Sequence, residues 1–311
     1  MLVALCVVAL AAALRPAATH DRPVIGVLAQ ETTPDLDALF PEYNYSSYIT
    51  ASYVKFVEAA GARAAPVFIR QPAAYYERMF RRLNGLVLPG GDSGLGSNGF
   101  GAAARAFWDL AHAHPDNYFP IWGTCQGHEE LAFLAGGAGV IAACNASNQA
   151  VTVQWDVDEV AQSRLFGNAS RQTLDLFSAE PNVIMFHYNC VMPDSFARDA
   201  AEFRVLGSSR DRRDVSYVSV LEHRSLPMYG VQFHPEKAAF EWSLLPRVDQ
   251  IPHSAHAVLA EQYLANFLAA EARRSNNRFA DTREEQEALI YNYPPFHTAA
   301  RGSSFEQCYF F

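Results

Sequence analysis

The sequence predicts an α/β fold with a mostly parallel central sheet and helices on both of its faces. Two observations lead to this prediction. Apolar runs of strand length alternate with segments of helical spacing through the first half of the 311-residue chain, as expected when crossover helices join parallel strands. Half of the residues are apolar and 18% are charged, which are the proportions of a globular protein with a sizeable core.

The first half of the chain supplies four strands and four helices to this prediction. The apolar runs start or stop at Gly, Pro or polar residues, which is typical of buried strands. They lie at 24–29, 64–69, 85–89 and 119–122. Helical spacing of apolar residues predicts helices at 48–61, 75–82 and 102–113, and a fourth helix opens over 129–134. The third strand runs into Gly90-Gly91-Asp92, which we expect to form a tight turn.

The second half of the chain has a more extended character. Strands are predicted at 150–157, 183–186, 203–208, 215–222 and 228–233, followed by a helix at 255–274. No Gly/Ser linker and no internal repeat interrupts the sequence. We therefore expect residues 20–311 to form a single domain.

Charge and the N-terminal segment indicate where the protein works. A formal net charge of −9 excludes a general attraction for nucleic acid or an anionic membrane. Residues 1–14 are apolar, too few to span a bilayer and suited to a signal peptide cleaved after about residue 19, although a buried N-terminal strand or helix is the alternative. Asn-X-Ser triplets begin at Asn44, Asn145 and Asn168. Together these features predict a protein of the secretory pathway.

Cysteines are sparse. Besides Cys6 in the leader, the chain has Cys125, Cys144, Cys190 and Cys308, which is neither a disulfide framework nor a CxxC zinc pattern. If Cys125 stays free, the other three allow at most one disulfide.

Cys125 is the candidate nucleophile. Residues 121–130 have the form strand, Gly-x-Cys-x-Gly, helix, which predicts a sharp turn that projects the thiol above the sheet edge. The flanking glycines avoid side-chain clashes in such a turn. The helix N-terminus beneath the sulfur is expected to favour the thiolate. The alternative is a buried cysteine in an ordinary strand-to-helix turn.

A thiol nucleophile needs a base and an oxyanion hole. His234 ends an apolar strand just before Pro235, and Glu236 is close enough to orient its imidazole. The backbone N–H groups of Gln126 and Gly91 are the candidate oxyanion donors. The alternatives are a structural histidine and an ordinary turn at Gly91.

Three motifs carry a family resemblance. Gly-Thr-Cys-x-Gly, Pro-Gly-Gly and Phe-His-Pro-Glu-Lys resemble the class I glutamine amidotransferase superfamily, and within it the γ-glutamyl hydrolase (folylpolyglutamate hydrolase) family. The resemblance runs from about Pro23 to the C-terminus, with further matches at 48–55, 58–63, 163–166 and 303–309.

This resemblance implies a flavodoxin-like core and an omega peptidase with a cysteine nucleophile. It implies hydrolysis of folyl or antifolyl poly-γ-glutamates through a thioester, without metal or organic cofactor, in the lysosome or vacuole or outside the cell, by a possible homodimer. It suggests His187 as a contact to the glutamate chain, and we add Tyr48 and Glu129 as further candidates for substrate binding. The chain departs from the family at Gln126-Gly127-His128, where Leu and an aromatic residue are expected.

Two other functions compete with this interpretation: a glutaminase that delivers ammonia to a synthetase, and a non-catalytic binding protein on the same fold. No second catalytic domain follows His234, which argues against the first, and the complete set of candidate catalytic residues argues against the second. A polyanionic substrate on a negatively charged protein also requires a local basic patch. The candidates for this patch are His187, Arg198, Arg224 and Lys237.

Overall fold

The computed structural model describes residues 21–42, 44–96 and 99–311, so the signal peptide predicted at 1–19 lies outside the described residues. Within those ranges the chain forms thirteen strands and ten α-helices. The strands are β1 Val24–Leu28, β2 Gln30–Glu31, β3 Ser47–Thr50, β4 Arg63–Val67, β5 Leu86–Leu88, β6 Ile121–Thr124, β7 Ile141–Val151, β8 Gln154–Trp155, β9 Val183–Val191, β10 Phe203–Arg210, β11 Ser216–His223, β12 Met228–Val231 and β13 Cys308–Phe310. The helices are α1 Pro34–Leu39, α2 Ala51–Ala59, α3 Ala73–Arg82, α4 Gly99–Ala113, α5 Gln126–Gly136, α6 Val157–Ala161, α7 Arg171–Ser178, α8 Pro193–Asp199, α9 Ala255–Ala272 and α10 Thr282–Ala288.

The central sheet has eight strands in the order β4-β1-β5-β6-β12-β11-β10-β8. The pairs from β4 to β12 are parallel, whereas the pairs from β12 to β8 are antiparallel. The predicted mostly parallel sheet is therefore confirmed. Because β6 and β12 are parallel neighbours, the residues that follow them lie at the same sheet edge, and Cys125 N–H donates to Val231 O at 2.9 Å.

Helices cover both faces of this sheet, as predicted. Successive side chains of a strand point to opposite faces, and β1 shows this directly. Its Ile25 and Val27 pack in the cluster that contains apolar residues of α2 and α9, whereas Val24 and Leu28 pack in the cluster that contains apolar residues of α3 and α4. No helix in the described ranges combines the length and apolar character needed to cross a membrane.

A small three-stranded sheet corrects one predicted helix. Residues 48–50, predicted as the start of a helix, belong to β3, which pairs antiparallel with β2 and with the C-terminal strand β13. The helix itself begins at Ala51. Of the two strands that pair with β3, β13 lies more than 250 residues away in the chain, so local spacing could not reveal that pairing.

A long hairpin-like pair, β7 and β9, corrects the strand predicted at 150–157. The strand β7 begins earlier, at Ile141, and ends at Val151. The separate strand β8 follows at Gln154–Trp155, and the side chain of Asp156 then caps α6. A disulfide joins Cys144 in β7 to Cys190 in β9, which is the single bridge that the cysteine count allowed. Two register shifts interrupt the pairing, and Asn148, at the second of them, has a positive φ of 49°.

Candidate active site

Cys125 lies on a strained turn between β6 and α5. Its φ of 50° and ψ of −106° are unusual for a residue with a side chain, and such strain is concentrated at functional sites. The flanking glycines are required by close packing, as predicted. A Cβ on Gly123 would lie 2.4 Å from Gly127 O, and a Cβ on Gly127 would lie 2.0 Å from Leu88 O. The turn therefore holds the nearly buried thiol directly above the helix N-terminus.

The surroundings of the thiol favour its protonated form. Burial raises the pKa of Cys125 well above its usual value, and the nearby carboxylates of Glu129 and Glu236 raise it further. The backbone N–H of Gln126 acts in the opposite direction but does not overcome burial. The helix N-terminus therefore acts toward the thiolate, as expected, but burial and the two carboxylates outweigh it in the pKa of Cys125.

His234 lies beside Cys125 with its two ring nitrogens in different surroundings. Nδ1 is 2.7 Å from Glu236 Oε1, so Nδ1–H donates to the carboxylate. Nε2 is buried and has no hydrogen-bond partner among the described residues. Burial lowers the pKa of His234, although the charge of Glu236 opposes this shift, so the imidazole is neutral and Nε2 can accept a proton.

Tyr53 and Gly90 complete the nucleophile's surroundings, and neither was predicted from the sequence as a site residue. The Tyr53 hydroxyl accepts a hydrogen bond from Gly90 N–H at 2.7 Å and lies 3.4 Å from His234 Nδ1. A Cβ on Gly90 would lie 2.7 Å from His234 Cε1 and 2.9 Å from Cys125 Cβ. Only a glycine leaves room for these side chains, so Gly90 has a clear steric role.

The two candidate oxyanion donors are held by a buried glutamine that the sequence did not reveal. Gln30 Nε2 donates to Gln126 Oε1 at 2.9 Å, and its amide lies against Gly91, where a Cβ would come within 2.2 Å of Gln30 Oε1. The Gln126 amide also binds the backbone of Ser93 through both of its atoms. This network ties the turn at 90–93 to the N-terminus of α5.

The thiol and imidazole open into a cleft of about 550 Å³. Tyr48, one of the residues predicted for substrate binding, contributes to its wall, as do Gly91 and both catalytic candidates. The lining residues are Thr33, Pro34, Asp35, Leu36, Leu39, Tyr48, Tyr53, Gly90, Gly91, Asp92, Cys125, Ser147, Phe186, Tyr188, His234, Lys237, Arg247, Val248, Ile251, Ser303, Ser304 and Phe305.

His187 does not line this cleft, contrary to its predicted role. It lies on the opposite side of β9 from Phe186 and Tyr188, which do line the cleft. Its buried ring packs edge-on against Tyr217 beside the disulfide, and Nδ1–H donates to Asn189 O at 2.9 Å. Burial lowers the pKa of His187 to about 3.

Glu129 is also absent from the cleft lining. Its carboxylate is buried and accepts a hydrogen bond from Gln232 Nε2 at 2.9 Å, and burial raises its pKa to about 8. The neighbouring His128 is completely buried, where burial lowers its pKa to about 3, so this departure from the family is a neutral packing residue. Glu129 nevertheless influences the Cys125 thiol, because its charge raises the pKa of that group.

The predicted basic patch is only partly present. Arg198 forms a surface ion pair with Asp199 at 2.7 Å, and Arg224 forms one with Glu159 at 3.2 Å. Neither arginine lines the cleft, whereas Lys237 does. The sequence missed a second cleft cation, Arg247.

Cysteine, imidazole and carboxylate at the ends of neighbouring parallel strands form the arrangement of a cysteine hydrolase. The model of the Peptidase C26 family matches residues 23–236, and the chain belongs to this family. It is 36% identical over 301 residues to gamma-glutamyl hydrolase of Bos taurus, covering 95% of this chain and 92% of that protein. It is 31% identical over 299 residues to gamma-glutamyl hydrolase B of Dictyostelium discoideum, covering 94% and 84%. A solved glutaminase domain of Trypanosoma brucei CTPS aligns with a TM-score of 0.48 and 15% identity, covering 80% of this chain and 94% of that domain. The predicted family membership is confirmed.

Proposed function

We propose that this protein is a cysteine hydrolase that cleaves the γ-glutamyl amide bonds of folyl and antifolyl poly-γ-glutamates. The Bos taurus and Dictyostelium discoideum relatives are γ-glutamyl hydrolases, and the alignments cover 92% and 84% of their lengths. This similarity supports the class of bond that is cleaved. The observation that carries the proposal is the buried, unpartnered Nε2 of His234, a residue that lines the same cleft as Cys125 and whose Nδ1 is bound to Glu236.

The geometry supports a general-base mechanism. As the sulfur of Cys125 attacks the amide carbonyl, His234 Nε2 takes the thiol proton, and Glu236 stabilises the imidazolium that forms. The backbone N–H groups of Gln126 and Gly91 bind the oxyanion. His234 then gives its proton to the leaving amine, which leaves a γ-glutamyl thioester. A water molecule, deprotonated by His234, hydrolyses this thioester and restores the thiol.

The volume of the cleft favours a chain-like substrate over free glutamine. A cleft of about 550 Å³ is within the range of sites for drug-sized ligands and much larger than one glutamine side chain. We expect steady-state hydrolysis of folyl poly-γ-glutamates with a kcat/KM at least 100-fold above that for glutamine. Comparable values for both substrates would favour the glutaminase function instead, and no hydrolysis of either would favour a binding protein.

The assignment of the nucleophile is tested by a matched pair of cysteine variants. Cys125 and Cys308 are both buried and free. Cys125→Ala should lower the hydrolysis rate by several orders of magnitude, since the covalent route is lost, whereas Cys308→Ala should retain it. Mass spectrometry of acid-quenched wild-type enzyme should find the γ-glutamyl adduct on the peptide with Cys125. More than a few per cent residual rate in Cys125→Ala would contradict the assignment.

We also propose that the protein matures in the secretory pathway. The Cys144–Cys190 disulfide supports this, because structural disulfides persist in oxidising compartments. Asn44 and Asn168 are exposed, as glycan acceptors must be. Enzymatic removal of N-glycans from protein made in a eukaryotic host should shift its mass, and an unchanged mass would contradict glycosylation. The homodimer implied by the family stays a prediction, which light scattering can test.

A further inference from the structure

The charge of the cleft is the starting point for an inference about substrate recognition. Poly-γ-glutamates carry one α-carboxylate on each glutamate, whereas this protein has a net charge of −9. Long-range attraction therefore opposes binding, and cations within the cleft must provide the compensation. Among the described residues, the cleft lining contains two permanent cations, Lys237 and Arg247, and two acids, Asp35 and Asp92.

Lys237 is already engaged by protein groups. Its side chain is buried, and Nζ lies 3.9 Å from Glu236 Oε1. The same ammonium group lies over the rings of Phe186 and Phe305, at 5.4 and 5.2 Å from their centroids. Its charge thus balances the carboxylate of Glu236, which orients His234. Little of that charge is therefore available to attract a substrate.

Arg247 is in the opposite situation. Its side chain is exposed at the cleft, and no ion pair or hydrogen bond joins its guanidinium group to another of the described residues. An arginine presents parallel N–H groups that match a carboxylate in a bidentate arrangement. The guanidinium is therefore available to a carboxylate that enters the cleft.

The backbone around Arg247 is held in place, which distinguishes it from a freely moving surface arginine. Asn148 Nδ2 donates to Pro246 O and to Asp249 Oδ1, both at 3.0 Å, and its Oδ1 accepts from Gln250 N–H at 3.1 Å. Three hydrogen bonds from one side chain thus clamp both flanks of Arg247 to β7. Arg212 in turn binds the backbone carbonyl of Asn148 at 2.7 Å, so the clamp is itself anchored.

We propose that Arg247 is a specificity-determining residue that binds an α-carboxylate of the γ-glutamyl chain, with Asn148 as the residue that positions it. This inference rests on the function proposed above. It assigns to Arg247 a substrate contact that Cys125, His234 and the engaged ammonium group of Lys237 do not provide.

The test uses two γ-linked tetraglutamates, one with free α-carboxylates and one with those groups converted to carboxamides. The wild type should show a KM for the carboxylate chain about tenfold below that for the carboxamide chain, and added salt should raise the former. Arg247→Ala should abolish this preference with kcat unchanged, and Arg247→Lys should keep part of it. Arg198→Ala, an exposed arginine outside the cleft, is the matched control and should behave as wild type.

Equilibrium binding keeps this test independent of catalysis. In a Cys125→Ala background, Arg247→Ala should weaken binding of the carboxylate chain about tenfold and leave the carboxamide chain unaffected. If wild-type protein hydrolyses neither chain but this binding difference is found, the proposed function fails and the Arg247 inference stands. If hydrolysis occurs but Arg247→Ala changes both chains equally or neither, only the inference is overturned.

Asn148→Gly tests the positioning role without straining the backbone. Glycine tolerates the positive φ of 49° at this position, so this variant removes the clamp and keeps the local conformation. We expect a partial loss of the carboxylate preference, smaller than in Arg247→Ala, with kcat unchanged. An unaltered preference would show that the clamp does not position Arg247.

Discussion

Replacement of Glu236 by Gln measures how much the orienting carboxylate contributes to catalysis. The residue accepts a hydrogen bond from His234 Nδ1 at 2.7 Å, and both side chains are buried. Hydrogen bonds to charged groups contribute about 1.5–3 kcal/mol, more than neutral ones. If this interaction is made chiefly in the transition state, when the imidazole becomes charged, its loss should lower kcat by roughly 10- to 150-fold and leave KM nearly unchanged. His234→Ala should lower kcat far more, because the base itself is lost.

The pH profile gives a second readout that a purely structural role would not change. Burial lowers the pKa of His234 and the charge of Glu236 raises it. Without that carboxylate the imidazole becomes protonated only at still lower pH. The acid limb of kcat/KM should therefore lie below pH 6.5 in the wild type and move further down in Glu236→Gln.

The assay is a steady-state pH series on folyl triglutamate, with circular dichroism and thermal unfolding to confirm folding. Glu241→Gln is the matched control, because Glu241 is a buried carboxylate near Lys237 without a contact to His234. A folded Glu236→Gln variant that loses less than threefold in kcat would refute the orienting role. A loss as large as that of His234→Ala would show that the role is stronger than argued.

Three further predictions follow from the surroundings of the site. Glu129→Gln should speed iodoacetamide labelling of Cys125 at pH 9 but not at pH 6, because burial raises the pKa of the Glu129 carboxyl to about 8 and its charge disfavours the thiolate. A variant that is labelled at the wild-type rate at both pH values would contradict this. Cys144→Ala/Cys190→Ala should lower the free energy of unfolding in urea by about 4 kcal/mol on the chain-entropy argument for a sequence separation of 46, and an unchanged unfolding midpoint would refute it. Gly90→Ala should abolish hydrolysis in a folded protein since its methyl group has no room, while Gly139→Ala, with open space around it, should not; an active Gly90→Ala enzyme would show that the turn can shift.

Local patterns predicted the central sheet well because each parallel strand is a continuous apolar run, and such a run indicates a buried strand without knowledge of its partners. The turn at Cys125 could also be predicted, since the glycines on both sides indicate the close packing that the structure shows. Segments whose conformation depends on a distant partner could not be predicted in this way. Residues 48–50 have helical spacing, yet strand β13 holds them extended. The family resemblance suggested His187 as a substrate contact, and the sequence cannot show that its side of β9 is not the one that lines the cleft.

The protonation state of Cys125 was beyond the sequence for a similar reason. A helix N-terminus is a local feature, typically worth about 0.3–1 kcal/mol of stabilisation for an adjacent negative charge. Burial is a property of the whole fold, and here it comes with the carboxylates of Glu129 and Glu236 close to the sulfur, so together they raise the pKa of the thiol. In the proposed mechanism, charge develops as the sulfur attacks the carbonyl, and the oxyanion donors and Glu236 stabilise the two new charges. The same burial that raises the pKa of the Cys125 thiol also lowers the pKa of His234, which keeps the imidazole ready to act as the base that the proposed mechanism requires.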